Sequence, residues 1–272
     1  MSEYKLIAFD MDGTLLDSNK KITKDSMDAI RKATECGKYV ALSTGRSVPE
    51  INDYLPYLKD VKYIISSSGS FIYTNPDNEI IFDRPLDEDI VKEVFNRTKN
   101  YDLMWHLHGF QGYVQTNQVS HLEDFGMGIY RNLFETLDKS VDDLQKFYSE
   151  NKVGVYKFNC YCRTPQDREI VRRNLDDMDI TIAYSETTSI EISPNGISKA
   201  SGLKKLCSYL SIPISQAIAV GDGDNDLEIL KAAGLSIAMG NSKQTVLDVA
   251  DVVVKDNDHG GCAQAVYDYL LK

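Results

Sequence analysis

Seven polar residues in this 272-residue chain have the types and placement to act on one small anion: Asp10, Asp12, Thr44, Lys199, Asp222, Asn225 and Asp226. They lie in four short stretches. These are Asp10-Met11-Asp12-Gly13-Thr14-Leu15, Ser43-Thr44-Gly45-Arg46, the lone Lys199, and Gly221-Asp222-Gly223-Asp224-Asn225-Asp226. Carboxylates brought together repel one another unless a cation neutralises them, and a set of oxygen donors alone selects a hard ion such as Mg²⁺. Such an ion, with the Lys199 ammonium, makes a site for a multiply charged anion, most naturally a phosphate. An Asp-x-Asp-x-Asp opening also resembles a calcium loop, but Leu227 stands where that loop needs Gly and Ala233 where it needs Glu.

For these residues to meet, the elements before them must end on one rim. Asp10 follows the apolar run Lys5–Phe9, Thr44 follows Tyr39–Leu42, and Asp222 follows Ala217–Val220. Short apolar runs separated by amphipathic helices predict strands of a parallel sheet covered on both faces, with functional groups just past their C-terminal ends. The spacing predicts a helix after the N-cap Thr23, with Met27, Ile30 and Thr34 on one face and Gly37 at its end. Ser47-Val48-Pro49-Glu50 is a capping box that starts another. Val61–Ile65 reads as a strand, and Asn75-Pro76-Asp77-Asn78 turns a hairpin between Phe71–Tyr73 and Ile80–Phe82. Lys199 opens a helix capped by Ser198.

From about Arg84 to Ser189 the texture changes to paired strands with fewer helices. The organisation expected is an α/β core of residues 1–83 and 190–272, interrupted by an α+β domain at 84–189. Within the insert, Cys160 and Cys162 share a strand face and read as packing. His106 and His108 share a face in the same way and read as a solvent- or substrate-facing strand rather than a metal pair.

The bulk composition excludes several classes. Lys+Arg 30 against Asp+Glu 41 gives a net charge of −11, which counts against a dedicated nucleic-acid binder or a protein that docks on anionic membranes. No apolar run reaches the length of a membrane span, and the N-terminus lacks a signal peptide's apolar region. Five scattered cysteines, an odd number, imply no disulfide framework. The expectation is a cytoplasmic protein, a monomer or homodimer.

The four motifs, in this order and spacing, resemble those of the haloacid dehalogenase superfamily, specifically its Cof-type sugar-phosphatase-like branch. The resemblance implies a Rossmann-like three-layer core with an inserted cap of the C2B type, and Mg²⁺-dependent hydrolysis of small phosphate esters. It implies Asp10 as the nucleophile that forms an aspartyl-phosphate and Asp12 as general acid, then base. It also implies Asp222 and Asp226 in the metal shell with Asp10 and the Asp12 backbone carbonyl. Thr44, Gly45, Lys199 and Asn225 are then the groups around the phosphoryl oxygens. Two positions depart from the family pattern: Ser68-Gly69-Ser70 replaces Asn-Gly, and Ala200 follows Lys199 in place of Gly. Both bear on substrate contacts and loop shape rather than on the reaction.

From Arg46 to Lys199 there are 153 residues, so the insert falls between the second and third motifs. The cap implied there closes over the phosphate and excludes water. Trp105, His106, His108, Tyr113 and Gln115 form a sugar-facing group on this reading, with surface or cap–core packing as the stronger alternative. Two rivals to a phosphatase remain at the level of sequence. One is a phosphomutase of the same superfamily, and the other is a phospho-ligand sensor without turnover. Met239-Gly240-Asn241-Ser242 and Asn257-Asp258-His259-Gly260-Gly261 resemble family segments that line the rim of the site.

Overall fold

The computed structural model describes residues 4–272. The chain begins with five strands, β1 (Leu6–Phe9), β2 (Tyr39–Ser43), β3 (Tyr63–Ser66), β4 (Phe71–Thr74) and β5 (Ile80–Asp83). A second run follows: β6 (Leu103–His108), β7 (Tyr113–Gln115), β8 (Lys139–Val141), β9 (Lys157–Cys162), β10 (Ile180–Ala183) and β11 (Ser189–Pro194). The last three are β12 (Ala217–Gly221), β13 (Leu235–Ala238) and β14 (Val252–Val253).

The first sheet has the order β14-β13-β12-β1-β2-β3-β4-β5. It is parallel from β14 to β3, and β4 and β5 add an antiparallel extension through the expected hairpin. β1 is buried along its whole length, which is why it is apolar at every position rather than at alternate ones. Alternation divides its side chains between two layers. Leu6 and Ala8 share a cluster with Ala41, Ala217, Ala219 and Ala238 from neighbouring strands, and with Leu203, Leu206, Ile229 and Leu230 from the helices Lys199–Tyr209 and Leu227–Ala232. The alanines leave room for those helices to lie close. Ile7 and Phe9 lie on the other face; the helical segment Val266–Leu270 packs on β1, and the helix Lys24–Glu35 packs on β2 and on the helix Gly261–Ala265.

Thr23 caps the helix Lys24–Glu35 as its sequence predicts, accepting from the Ser26 N–H. Such a cap is worth about 1 kcal/mol. The buried stripe of that helix is Ser26, Ala29, Ile30 and Ala33 rather than the Met27-Ile30-Thr34 face. Small side chains, not the longest ones, fit between helix and sheet.

The chain divides into two compact units. One holds the residues up to Gly45, Tyr54–Asp83 and Ile197–Lys272, and the other holds Arg46–Asp53 and Arg84–Gly196. The second therefore runs past residue 189, where the core was expected to resume. β11 is hydrogen-bonded on both edges, to β9 and β10, so Ser189–Pro194 belongs to the second sheet.

That sheet has the order β10-β11-β9-β6-β7-β8 and is antiparallel except between β7 and β8. One face carries Leu103, Leu107, Phe158, Cys160, Cys162, Ile190 and Ile192 under the helices Glu88–Thr98, Leu144–Asn151 and Pro165–Arg173. Cys160 and Cys162 are thus packing residues, as their spacing indicates. The other face presents His106, His108, Lys157, Asn159, Tyr161 and Glu191, all buried.

The five residues grouped as sugar-facing do not share a surface. Trp105 lies on the apolar face, edge-on to Phe95 with ring centroids 4.9 Å apart, and its indole N–H donates to Thr98 Oγ1 at 2.9 Å. Tyr113 packs on Phe147, and Gln115 Oε1 accepts the Leu144 N–H at 3.4 Å. His106 and His108 point the other way but are 1% and 3% exposed, so they do not face solvent. The period of two that pairs His106 with His108 necessarily sends Trp105 to the opposite face. None of the described helices is long and apolar enough to cross a membrane.

Candidate active site

The order of the first sheet decides where its chemistry lies. From β1 the chain moves outward to β2 and β3, and later returns on the other side of β1 through β12, β13 and β14. The strand order therefore reverses between β1 and β12, and a crevice opens at the C-terminal ends of such a pair. Asp10 immediately follows Phe9, which pairs with Val220, and the Asp10 N–H donates to the Val220 carbonyl at 3.0 Å. Asp222 follows Gly221 at the end of β12.

Beyond Asp10 the backbone makes one tight helical turn, with Leu15 N–H on Asp10 O at 3.2 Å and Leu16 N–H on Met11 O at 2.9 Å. Gly13 sits in that turn at φ +78°, and a Cβ there would lie 2.3 Å from Asp222 Oδ2. Only glycine satisfies both the backbone conformation and the close approach. Thr14 then reaches across, its hydroxyl donating to Asp222 Oδ1 at 2.7 Å.

Lys199, at the start of the helix capped by Ser198, is 3% exposed. Its Nζ donates to Asp10 Oδ1 and to Asp226 Oδ1, each at 2.6 Å. The second oxygen of Asp226 accepts the backbone N–H groups of Asp222 at 3.0 Å and Gly223 at 3.1 Å. Asp226 therefore holds the lysine with one oxygen and folds its own loop with the other. Gly221 is required beneath it, because a Cβ there would come within 2.5 Å of the Asp226 carboxyl carbon.

The four side chains Asp10, Lys199, Asp222 and Asp226 form one electrostatic unit. Burial pushes the Asp10 carboxyl well above the usual range, and Asp226 and Asp222 add to this against the opposing Lys199. Asp222 is raised to about 6, first by burial and then by Asp226, while the Thr14 hydrogen bond holds it down. Burial alone would lower Lys199, but Asp10 and Asp226 outweigh it and keep the ammonium charged.

Carboxylate oxygens of Asp10, Asp222 and Asp226 lie within 4.8 Å of one another. With one ammonium among three carboxylates, two negative charges remain when all three are ionised. One divalent ion would balance them, and all-oxygen donors suit a hard one. The residues present thus fit Mg²⁺.

The other motif residues lie on the segments that follow β1, β2 and β12. Asp12 lies two positions past Asp10 on the helical turn, with Lys20 Nζ on its Oδ1 at 2.8 Å. Thr44 and Gly45 follow β2, which pairs with β1. The Thr44 N–H is tied to Ile65 O at 2.9 Å and its carbonyl accepts the Ser68 N–H at 3.0 Å. Asn225 is on the 3₁₀ turn Asp224–Asp226. Asp224 turns away, to Lys243 Nζ at 2.9 Å and Thr245 Oγ1 at 2.6 Å, an arrangement unlike a calcium loop. Arg46 donates to the Glu50 carbonyl at 3.2 Å.

Two positioning groups carry no motif signal strong enough to assign them from sequence. Thr14 was legible only as part of the first motif. Asn241 bridges two loops: its Nδ2 donates to Gly13 O at 2.8 Å, and its Oδ1 accepts the Asn257 N–H at 3.1 Å. The segment around Asn241 was expected to line the rim, but the bond to Gly13 depends on distant loops meeting.

Comparisons with known proteins place the chain in a family. The family model described as haloacid dehalogenase-like hydrolase matches residues 7–266. The 5-amino-6-(5-phospho-D-ribitylamino)uracil phosphatases YitU and YcsE of Bacillus subtilis are each 28% identical. YitU aligns over 97% of this chain and 97% of its own length, and YcsE over 99% and 97%. In structure, the subclass IIB sugar phosphatase BT4131 superposes with a TM-score of 0.83 at 19% identity, covering 98% of this chain and all of that one. The three-layer core, the ordered motifs and the full-length family match lead to one conclusion: the chain belongs to the haloacid dehalogenase-like hydrolases.

Proposed function

We propose that this enzyme is a Mg²⁺-dependent phosphomonoester hydrolase that acts on small phosphorylated metabolites, sugar or polyol phosphates in particular, through an aspartyl-phosphate on Asp10. The observation that carries the reading is the buried Asp10–Lys199–Asp226 unit beside Asp222 at the β1/β12 crevice. A carboxylate kept next to a charged ammonium, in a site short of positive charge, is built to receive an electrophile that arrives with a cation.

In the first step an Asp10 carboxylate oxygen bonds to phosphorus, the ester P–O bond breaks, and Asp12 gives its proton to the departing oxygen. In the second, water attacks phosphorus, Asp12 takes its proton, and the Asp10–phosphorus bond breaks to release inorganic phosphate. Lys199 stabilises charge on Asp10 and on the transferring group, and Thr44, Gly45 and Asn225 bind phosphoryl oxygens. Asp10, the Asp12 carbonyl, Asp222 and Asp226 would hold Mg²⁺, which would supply charge neutralisation for the nucleophile and the phosphoryl oxygens. Asp226 contributes mainly by orienting, since both its oxygens already accept hydrogen bonds.

The substrate class rests on the relatives, two named for a phosphorylated ribityl compound and a structural neighbour named a sugar phosphatase. All five cysteines are free thiols, in keeping with the reducing cytoplasm. The test is release of inorganic phosphate from a panel of phosphorylated metabolites with and without Mg²⁺, using wild type and Asp10→Asn. Metal-dependent release by wild type alone is expected. Interconversion of phosphosugar isomers without net release would replace this reading with a mutase, and turnover by Asp10→Asn would remove the nucleophile.

A further inference from the structure

The hairpin after the nucleophile turn carries a lysine that belongs to none of the motifs. Lys20 Nζ donates to Asp12 Oδ1 at 2.8 Å, with the two side chains 46% and 31% exposed. An ion pair that open is worth about 0–1 kcal/mol, so the pair alone assigns nothing. What assigns it is the backbone built to aim it.

Lys20 sits at φ +58°, a left-handed conformation unfavourable for a side chain of this type. Asp17 holds it there. Its Oδ1 accepts the N–H groups of Asn19 and Lys21, both at 2.8 Å, while Asp17 N–H to Lys21 O and Lys20 N–H to Asp17 O close the turn at 2.8 and 2.9 Å. The hairpin is also fastened from outside. Asp258 takes the Ser18 N–H at 2.8 Å and the Ser18 hydroxyl at 2.6 Å, and Asn257 Nδ2 donates to Leu16 O at 2.9 Å. Leu16 forms single β-bridges with both Asp12 and Ile22. A strained tip fastened at several points delivers one ammonium to one oxygen of the proposed acid/base.

We propose that Lys20 is a positioning residue for Asp12: its ammonium fixes one carboxyl oxygen, so that the group meets the leaving oxygen in one orientation during phosphoryl transfer. This rests on the acid/base reading of Asp12 given above. The proton still passes from Asp12 to the ester oxygen as the P–O bond breaks and the Asp10–phosphorus bond forms. Lys20 neither gains nor loses one.

A leaving group that departs easily needs little protonation, so loss of orientation must show selectively. The experiment is single-turnover rapid quench at saturating Mg²⁺ on p-nitrophenyl phosphate, phenyl phosphate and benzyl phosphate, with wild type, Lys20→Met and Lys20→Arg. Lys20→Met is expected to slow the first step about tenfold on benzyl phosphate and less than about threefold on p-nitrophenyl phosphate, with phenyl phosphate between. Lys20→Arg is expected to recover most of the loss. Equal slowing on all three esters, or no slowing on any, overturns the proposal. Asp10→Asn run in parallel separates the two levels, because turnover by that variant would sink the function reading whatever Lys20 does.

Discussion

Thr14 and Asp222 are 208 positions apart in sequence, yet the hydroxyl of one donates to Oδ1 of the other at 2.7 Å. The bond fastens the turn after β1 to the loop after β12, and it lowers the pKa of a carboxyl that burial raises. Thr14 is 1% exposed, so water does not replace the hydroxyl when it is removed. Thr14→Val keeps the volume and deletes the donor. The expected outcome is a Mg²⁺ requirement raised by about 10- to 100-fold with the fold intact, read from the metal dependence of phosphate release and from circular dichroism.

Lys199 is the positive member of the buried unit, and its removal leaves Asp10 and Asp226 facing each other without a counter-ion. Lys199→Met should abolish turnover and destabilise the protein by about 3–5 kcal/mol at neutral pH. Denaturant unfolding with and without Mg²⁺ checks this, and a variant as stable as wild type in metal-free buffer would contradict the assigned charge balance.

The raised Asp222 pKa, near 6, would make binding of the proposed Mg²⁺ pH-dependent. A raised carboxyl pKa means that the protonated form, which binds metal poorly, grows as pH falls through 6. Mg²⁺ should therefore raise the thermal midpoint strongly at pH 7.5 and weakly at pH 5. Differential scanning calorimetry at both values tests the sign, and an equal shift at each pH would count against Asp222 as a ligand.

The second unit has its own acid sensitivity. His108 is pushed down to about 3, chiefly by burial and then by His106 and Lys157, against the attraction of Glu50 at 3.3 Å. Burial pushes Glu50 up, but His108, then His106 and the Ser47 N–H and hydroxyl at 2.5 and 2.6 Å, hold it below the usual carboxylate range. With His108 depressed from 6.5, the unfolded chain binds the extra proton between pH 6.5 and 3, so stability falls as pH is lowered across that window. His108→Gln should flatten this dependence. Unfolding midpoints at pH 7 and pH 4.5 measure it, and parallel slopes for both proteins would exclude His108 as the source.

The local signals were strong where a single stretch of chain makes the decision. The fully apolar β1, the Thr23 cap, the Ser47–Glu50 capping box and the turn at Asn75–Asn78 depend on neighbours within a few residues, and each is found as expected. That His106 and His108 share a face was equally legible, but Trp105, grouped with them, lies on the opposite, apolar face. The limits of the second sheet were not legible either, because Ser189–Pro194 owes its place to hydrogen bonds with strands that precede it.

For the site, the sequence by itself determined the candidate groups and their order, since Asp10, Asp12, Lys199 and the Asp222–Asp226 loop sit in short stretches whose residue types suit the proposed chemistry. Tertiary structure decided their partnerships. The reversal of strand order between β1 and β12 brings Asp10 beside Asp222, Lys199 reaches back 189 positions to Asp10, and the hairpin tip turns Lys20 onto Asp12. Hydrogen bonds and charge pairs act over a few ångströms, and only the folded sheet sets those distances for residues so far apart along the chain.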